Sequence, residues 1–228
     1  AGREGTEFMM GIDEAGRGPT LGPMVYGSAF CAVEDEHRIR SMGFNDSKQL
    51  TEAKREQLWE GLQDCGFLGW EIRVLQAREI SEGMLRKHAK YNLNAMSHDA
   101  AIGLVRKVLE RGVNLKYLYV DTVGDPERYK QKLEGIFPSL IITVEKKADS
   151  KFPIVSAASI CAKVVFFALS VVRGVVLRPG VGVVERPHRG AEVVLVRGDI
   201  VMATGVPALS HRMSAHTSRV IWVSTAIF

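Results

Sequence analysis

Residues 11–19 read Gly-Ile-Asp-Glu-Ala-Gly-Arg-Gly-Pro, a stretch that joins a short apolar run to two adjacent carboxylates and a glycine-rich turn. The apolar run at residues 8–12 stops at Asp13 and Glu14, and a second apolar run follows at residues 24–30. This order predicts a strand, a turn and a second strand. Adjacent strand residues face opposite ways, so both carboxylates can reach one site only where the strand ends or bends.

Apolar periodicity and helix-capping residues continue the pattern along the chain. The clearest helix is predicted over residues 92–111, where apolar residues recur at three- and four-residue spacings and Gly112 ends the run. Strands that alternate with helices indicate an α/β domain. The strands are predicted at residues 8–12, 24–30, 70–74, 116–120 and 140–144, and the helices start at Thr51, Asn92, Asp125 and Pro153.

The composition is that of a chain that can bury a core. Of 228 residues, 46% are hydrophobic and 25% are charged, which excludes disorder by composition. The longest apolar run, residues 164–172, is far shorter than the roughly 20 residues of a membrane span. Cys31, Cys65 and Cys161 are odd in number and far apart, which excludes a disulfide framework and a CxxC metal site. Because residues 1–10 contain no apolar leader, we expect an intracellular, reducing location.

Composition changes abruptly after Lys163. Residues 1–163 hold 23 basic and 23 acidic residues, so the net charge of +4 comes entirely from residues 164–228, with 7 Arg and 3 acids. The total charge therefore gives no argument for a nucleic-acid partner. This Val/Arg/Gly-rich tail has 16 valines and no period of 2 or 3.6. We place a domain boundary at Val164, between residues 1–163 and residues 164–228.

Two origins of this tail stay open. It is either a separate small β-rich module or translated intron or shifted-frame sequence appended to a truncated domain. The second is favoured because the change falls inside a helical pattern and not at a linker.

A third carboxylate, Asp121, follows the strand predicted at residues 116–120. If both strands lie in one sheet, Asp13, Glu14 and Asp121 meet at the strand ends, where sites in α/β sheets form. Three carboxylates suit Mg²⁺ or Mn²⁺, which prefer oxygen ligands and leave positions for water and phosphate. The alternative is that Asp13 and Glu14 only cap or solvate a turn, and the glycine turn has neither of the usual phosphate-loop spacings.

Four segments, taken in order, resemble one family over nearly all of residues 8–163. They are residues 11–19, the Asp46-Ser47-Lys48 stretch, residues 120–124 (Val-Asp-Thr-Val-Gly), and Lys147-Ala148-Asp149 leading into residues 155–164. Together they resemble type 2 ribonuclease H, the ribonuclease HII family. Residues 90–99 are more similar to the catalytic polypeptide of the eukaryotic enzyme than to the bacterial enzyme.

The resemblance implies an RNase H-like mixed sheet flanked by helices, with an incomplete catalytic domain over residues 1–163. It implies a metal-dependent endonuclease that hydrolyses the RNA strand of RNA–DNA hybrids and incises duplex DNA at single ribonucleotides. Two-metal-ion catalysis with Mg²⁺ or Mn²⁺ is part of the same implication. The eukaryotic family further implies two accessory subunits, a nuclear location and no membrane partner.

Site residues follow from the resemblance by position. Asp13, Glu14 and Asp121 are the implied catalytic metal ligands. The Gly16-Arg17-Gly18 turn is the implied reader of the ribose 2′-OH, the group that distinguishes RNA from DNA. Lys48 is the implied phosphate contact, and the alternative for it is a solvated loop lysine.

The resemblance breaks down after Val164. In the family the helix continues with Ala-Arg-Asp, and that Asp is the implied fourth active-site carboxylate; here Phe167 takes its place. No acid near it compensates, since Glu185 lies eighteen residues farther on. The later helices that dock the accessory subunits also have no match. We therefore expect impaired activity, because losing a carboxylate removes charge stabilisation from phosphoryl transfer.

Two other functions stay open at this stage. One is a catalytically inactive nucleic-acid-binding protein that keeps the glycine turn and the lysines and adds the arginine-bearing tail. It predicts salt-dependent binding to hybrids without turnover. The other is a non-functional truncated isoform, which insolubility or rapid proteolysis would reveal.

Overall fold

The computed structural model describes residues 5–18, 23–44, 51–86, 91–122, 124–172, 191–196 and 199–204. Contacts between residues divide the chain into two units, Ala1–Phe166 and Phe167–Phe228. The first unit holds the main sheet and every predicted site residue, so the site is described within that unit alone.

Five strands form one mixed sheet in the first unit: β1 (Phe8–Ala15), β2 (Met24–Ala32), β3 (Gly69–Leu75), β4 (Leu115–Asp121) and β5 (Ile141–Glu145). Their order across the sheet is β3-β2-β1-β4-β5. The pairs β1–β2 and β2–β3 are antiparallel, whereas β1–β4 and β4–β5 are parallel. This arrangement, with helices between the strands, confirms the predicted α/β class.

Six α-helices connect and cover these strands: α1 (Glu36–Ser41), α2 (Glu52–Asp64), α3 (Ala77–Met84), α4 (Leu93–Glu110), α5 (Pro126–Ile136) and α6 (Pro153–Val172). The predicted starts of α2, α4 and α5 are confirmed by capping bonds. The side chains of Thr51, Asn92 and Asp125 each accept a hydrogen bond from a backbone amide of the first helical turn. The short helices α1 and α3 were not predicted, because six to eight residues give too little periodicity to read.

Alternate residues of the central strands face two helical layers. Met10 and Ile12 of β1 pack into a core with α4 and α5 on one face of the sheet. Met9 packs into a second core with α2 and α6 on the other face. Residues of β1 therefore alternate between the α4 layer and the α6 layer, and this alternation extends to the carboxylates that follow.

Helix α6 lies against the sheet at two glycines. A Cβ atom on Gly11 would lie 2.4 Å from the carbonyl oxygen of Ile154, and one on Gly27 would lie 2.5 Å from that of Ala158. These distances are shorter than any real Cβ contact, so only glycine allows this approach. The helix contributes small buried residues, including Ala158 and Ala162. The backbone of α6 is consequently in direct contact with β1 and β2.

The chain beyond the sheet departs from the predicted helix end. Helix α6 was predicted over residues 153–163, but it continues to Val172. The second unit contains an antiparallel hairpin of β6 (Ala191–Val196) and β7 (Asp199–Thr204). The boundary at Val164 and the origin of residues 164–228 stay predictions. Within the described ranges, no helix combines the length and apolarity that crossing a bilayer requires.

The contact at Gly27 generates a stability prediction. Gly27→Ala places a methyl group against backbone atoms of α6, which cannot move aside as a side-chain end can. We expect the free energy of unfolding to fall by about 1–3 kcal/mol, the range for overpacking a close-packed core. Urea denaturation followed by circular dichroism measures the change.

Gly103→Ala is the matched control for this prediction. Gly103 lies inside α4, and a Cβ there would meet nothing within 4 Å. Alanine should raise the free energy of unfolding by about 0.5–1 kcal/mol, because glycine is the more flexible residue in the unfolded chain. Equal effects of the two substitutions would contradict the proposed tight contact at Gly27.

Candidate metal centre

Three aspartates meet at the carboxyl ends of the parallel strands. Asp13 lies in β1, Asp121 is the last residue of β4, and Asp149 lies in a short 3-10 turn (Ala148–Ser150) after β5. One carboxylate oxygen from each residue lies within 4.8 Å of the other two. Asp13 and Asp149 are buried and Asp121 is half-buried. We call this group the aspartate cluster; its hard oxygen atoms suit a divalent cation such as Mg²⁺ or Mn²⁺.

Strand register brings Asp13 and Asp121 together. Ile12 of β1 pairs with Val120 of the parallel strand β4, so the residue after each lies at the same end of the sheet. Their carboxylates meet there as members of the aspartate cluster. This confirms the geometric expectation that carboxylates at the ends of neighbouring strands share one site.

A left-handed residue turns the chain so that Asp149 joins the cluster. Lys147 has a φ of 58°, a conformation that few non-glycine residues adopt. The chain reverses there, and the backbone amide of Ala148 donates a hydrogen bond of 3.3 Å to Oδ1 of Asp121. Asp149 is the next residue, so the same turn orients one carboxylate and supplies another.

Burial dominates the electrostatics of the cluster. It raises the pKa of Asp13 well above the ordinary aspartate value, and the negative charges of Glu14 and Asp121 raise it further. Hydrogen bonds from the Ser159 side chain and from the Glu14 amide, at 2.8 Å, act in the opposite direction on this pKa. Burial also raises the pKa of Asp121, against the lowering effect of the Ala148 amide. A bound cation would neutralise this concentrated negative charge.

Glu14 lies on the other face of the sheet from Asp13. Strand β1 continues through Ala15, which pairs with Val25, so the strand does not end at the carboxylates as predicted. Glu14 is half-buried and lines a cleft of about 580 Å³ together with Asp121. The two adjacent acids therefore approach Asp121 from opposite sides, and Glu14 is not a member of the aspartate cluster.

The glycine turn is held at the edge of this cleft. Gly16 has a φ of 83°, and a Cβ atom on it would lie 2.5 Å from the Phe166 ring, so the position requires glycine. Arg17 lines the cleft and Gly18 is exposed. Lys48, the predicted phosphate contact, lies outside the described residues.

Asp149 is a member of the cluster that the sequence-based prediction left without a role. It reaches the site from a position before α6, so with Glu14 the described residues provide four carboxylates at or beside the site. The search for an acid to replace the one missing at Phe167 considered only residues after that position. The signal was nevertheless present in the sequence, because Asp149 follows the end of a parallel strand as Asp121 does.

Comparisons with known proteins agree with this geometry. The family model described as Ribonuclease HII matches residues 10–173. The Ribonuclease H2 A-subunit of Arabidopsis thaliana is 54% identical over 156 residues, covering 68% of this chain and 52% of the relative. The Homo sapiens protein of the same name is 48% identical over 156 residues, with the same coverage of 68% and 52%. The chain thus spans about half the length of the curated relatives it matches.

A solved structure supports the fold independently. A chain in the structure of the PCNA:RNase HII complex from Archaeoglobus fulgidus superposes with a TM-score of 0.60 at 33% sequence identity. The match covers 71% of this chain and 74% of that chain. It confirms the predicted RNase H-like architecture.

The buried cluster predicts how stability responds to pH and to cations. Because the pKa of Asp13 is raised in the folded state, the unfolded chain loses its proton first as pH rises. Stability should therefore fall from about pH 4, the ordinary aspartate pKa, upward through the raised value. Without divalent cations, Asp13→Asn should match or exceed the unsubstituted chain in melting temperature at pH 7, by more than at pH 5.

Cation addition should reverse that order. Mg²⁺ or Mn²⁺ at 100 times its Kd should raise the melting temperature of the unsubstituted chain by about 5–10 °C. Asp13→Asn should lose this shift, whereas Asp35→Asn, at an exposed ion pair with Arg38, should retain it. An undiminished shift in Asp13→Asn would show that the cation binds elsewhere.

Proposed function

Because the chain belongs to the ribonuclease HII family, we propose that it hydrolyses the RNA strand of RNA–DNA hybrids and incises duplex DNA at single ribonucleotides. The observation that carries the proposal is the aspartate cluster, which gathers three carboxylates beside a cleft that the glycine turn borders. The proposed cofactor is Mg²⁺ or Mn²⁺. Its proposed ligands are Asp13, Glu14 and Asp121, joined by Asp149.

The carboxylates have separate tasks in this proposal. When bound, divalent cations in such a site, as a pair in the two-metal scheme, stabilise charge on the reacting phosphate and favour ionisation of water. Asp13 and Asp149 supply buried charge within the cluster, and Glu14 supplies it from the cleft side. Asp121 borders both, and the Ala148 amide fixes its orientation. The charged set is thus arranged before substrate arrives, which limits reorganisation during reaction.

Selection of ribose is assigned to the Gly16-Arg17-Gly18 turn. A turn with an unhindered backbone brings amide groups close to a sugar, and the 2′-OH is the group that separates RNA from DNA. Lys48 is proposed as a phosphate contact. The proposed partner is a ribonucleotide-containing duplex in the nucleus, and association with two accessory subunits stays a prediction.

The chain is proposed to be active despite Phe167. The expected impairment depended on a fourth carboxylate without a replacement, and Asp149 offers that replacement from the other end of α6. A noncatalytic hybrid-binding protein is the remaining alternative, and it differs from the enzyme in turnover alone.

Incision of a duplex that carries one ribonucleotide tests the proposal. With Mg²⁺ or Mn²⁺ we expect cleavage by the unsubstituted chain, and a loss of about 100-fold or more in Asp121→Asn and in Asp149→Asn, because each removes charge at the reacting phosphate. Phe167→Asp should change the rate by less than about twofold, since the proposed site is already complete. Asp35→Asn is the surface control.

Three outcomes would contradict parts of this account. Cleavage without divalent cations would exclude the metal-dependent mechanism. A normal rate in Asp149→Asn together with a large gain in Phe167→Asp would restore the missing-carboxylate explanation. Salt-dependent binding of the hybrid without any cleavage would identify a noncatalytic binder.

A further inference from the structure

The Arg17 side chain is held by two residues of one helix. Its Nη1 donates a hydrogen bond of 2.6 Å to Oγ of Ser97, and its Nη2 donates to Oδ1 of Asn94. These partners lie 80 and 77 positions along the chain from Arg17. Both belong to the N-terminal part of α4, so one rigid element fixes both terminal nitrogens of the guanidinium group.

The Ser97 hydroxyl is already oriented to accept this bond. Ser97 is 4% exposed, and its Oγ donates its own proton to the carbonyl oxygen of Leu93 at 2.8 Å. An accepting lone pair is therefore what Ser97 offers to Arg17. The start of α4 is itself fixed, because Oδ1 of Asn92 accepts a hydrogen bond of 2.9 Å from the Ala95 amide.

The same contacts connect the turn to the strand that bears Glu14. Tyr26 is buried and pairs with Glu14 in the β1–β2 register. Burial and the charge of Glu14 raise the pKa of Tyr26, and hydrogen bonding to Ser97 and Arg17 opposes that rise. Ser97 thus lies where Arg17, Tyr26 and α4 meet.

The opposite side of the turn is held by packing. The Phe166 ring fills the space beside Gly16 where a Cβ atom would otherwise lie. A polar attachment to α4 at Arg17 and an aromatic contact at Gly16 therefore restrain two consecutive residues of the turn. A restrained turn presents its backbone in one conformation, which is what discrimination of a single hydroxyl group requires.

We propose that Ser97 and Asn94 are positioning residues for ribose selection, because they hold Arg17 and, through it, the Gly16-Arg17-Gly18 turn. The inference rests on the proposed function. Neither residue belongs to the aspartate cluster. Removing either should therefore weaken recognition of the ribonucleotide and leave the metal-dependent step intact.

Steady-state kinetics on the single-ribonucleotide duplex give the first test. Ser97→Ala should raise KM about tenfold with kcat changed by less than about twofold, because a hydrogen bond to a charged group is lost. Asn94→Ala should raise KM about threefold, and Asn94→Asp, which keeps the accepting oxygen at an exposed position, should restore the original value. Ser41→Ala is the matched control, since Oγ of Ser41 makes a similar intrahelical bond to the carbonyl oxygen of Arg38, far from the cleft.

Binding gives a second readout that does not depend on turnover. Fluorescence anisotropy, with Ca²⁺ in place of Mg²⁺, compares the single-ribonucleotide duplex with the all-DNA duplex of the same sequence. The unsubstituted chain should prefer the ribonucleotide, and Ser97→Ala and Asn94→Ala should lose most of that preference. A retained preference in both variants would overturn the positioning role while the proposed function stands. No preference in the unsubstituted chain would overturn the ribose-reading function together with this inference.

Discussion

The direct contact between α6 and the two glycines of β1 and β2 is the constraint on which the site depends. Because Gly11 and Gly27 have no side chains, the backbone of α6 reaches the sheet without an intervening layer. Gly27 also pairs with Asp13 across the two strands. The helix thereby brings Ser159 to Asp13, and the turn that precedes it brings Asp149 to Asp121. A wider spacing would separate the groups that form the aspartate cluster.

This packing concentrates negative charge in a place where it is costly. The raised pKa values of Asp13 and Asp121 show that the fold disfavours their ionised forms in the absence of a counter-charge. Buried carboxylates with raised pKa values beside a cleft are characteristic of sites built for a ligand. Strand β1 then divides the work, with Asp13 in the cluster and Glu14 toward the cleft that the glycine turn borders. Metal binding and ribose selection are in this way placed on the two faces of one strand.

Local signals in the sequence predicted much of this arrangement. Capping residues marked the starts of α2, α4 and α5, because a cap acts within one helical turn. Asp13 and Asp121 were found because parallel strands end at one edge of a sheet. Asp149 was missed as a ligand, although the same rule applies to it, because the resemblance directed attention to Phe167. The bonds from Arg17 to Ser97 and Asn94 were beyond sequence reasoning, since only tertiary folding joins residues about 80 positions apart.

The central claim is that Asp149, and no residue of the tail, completes the metal site. Anomalous diffraction from crystals of the whole chain grown with Mn²⁺ tests it most directly. The account predicts an anomalous peak at the aspartate cluster, with oxygen atoms of Asp13, Asp121 and Asp149 at about 2.0–2.6 Å, the range for hard divalent cations. A peak coordinated without Asp149, or no peak at the cluster, would contradict the account.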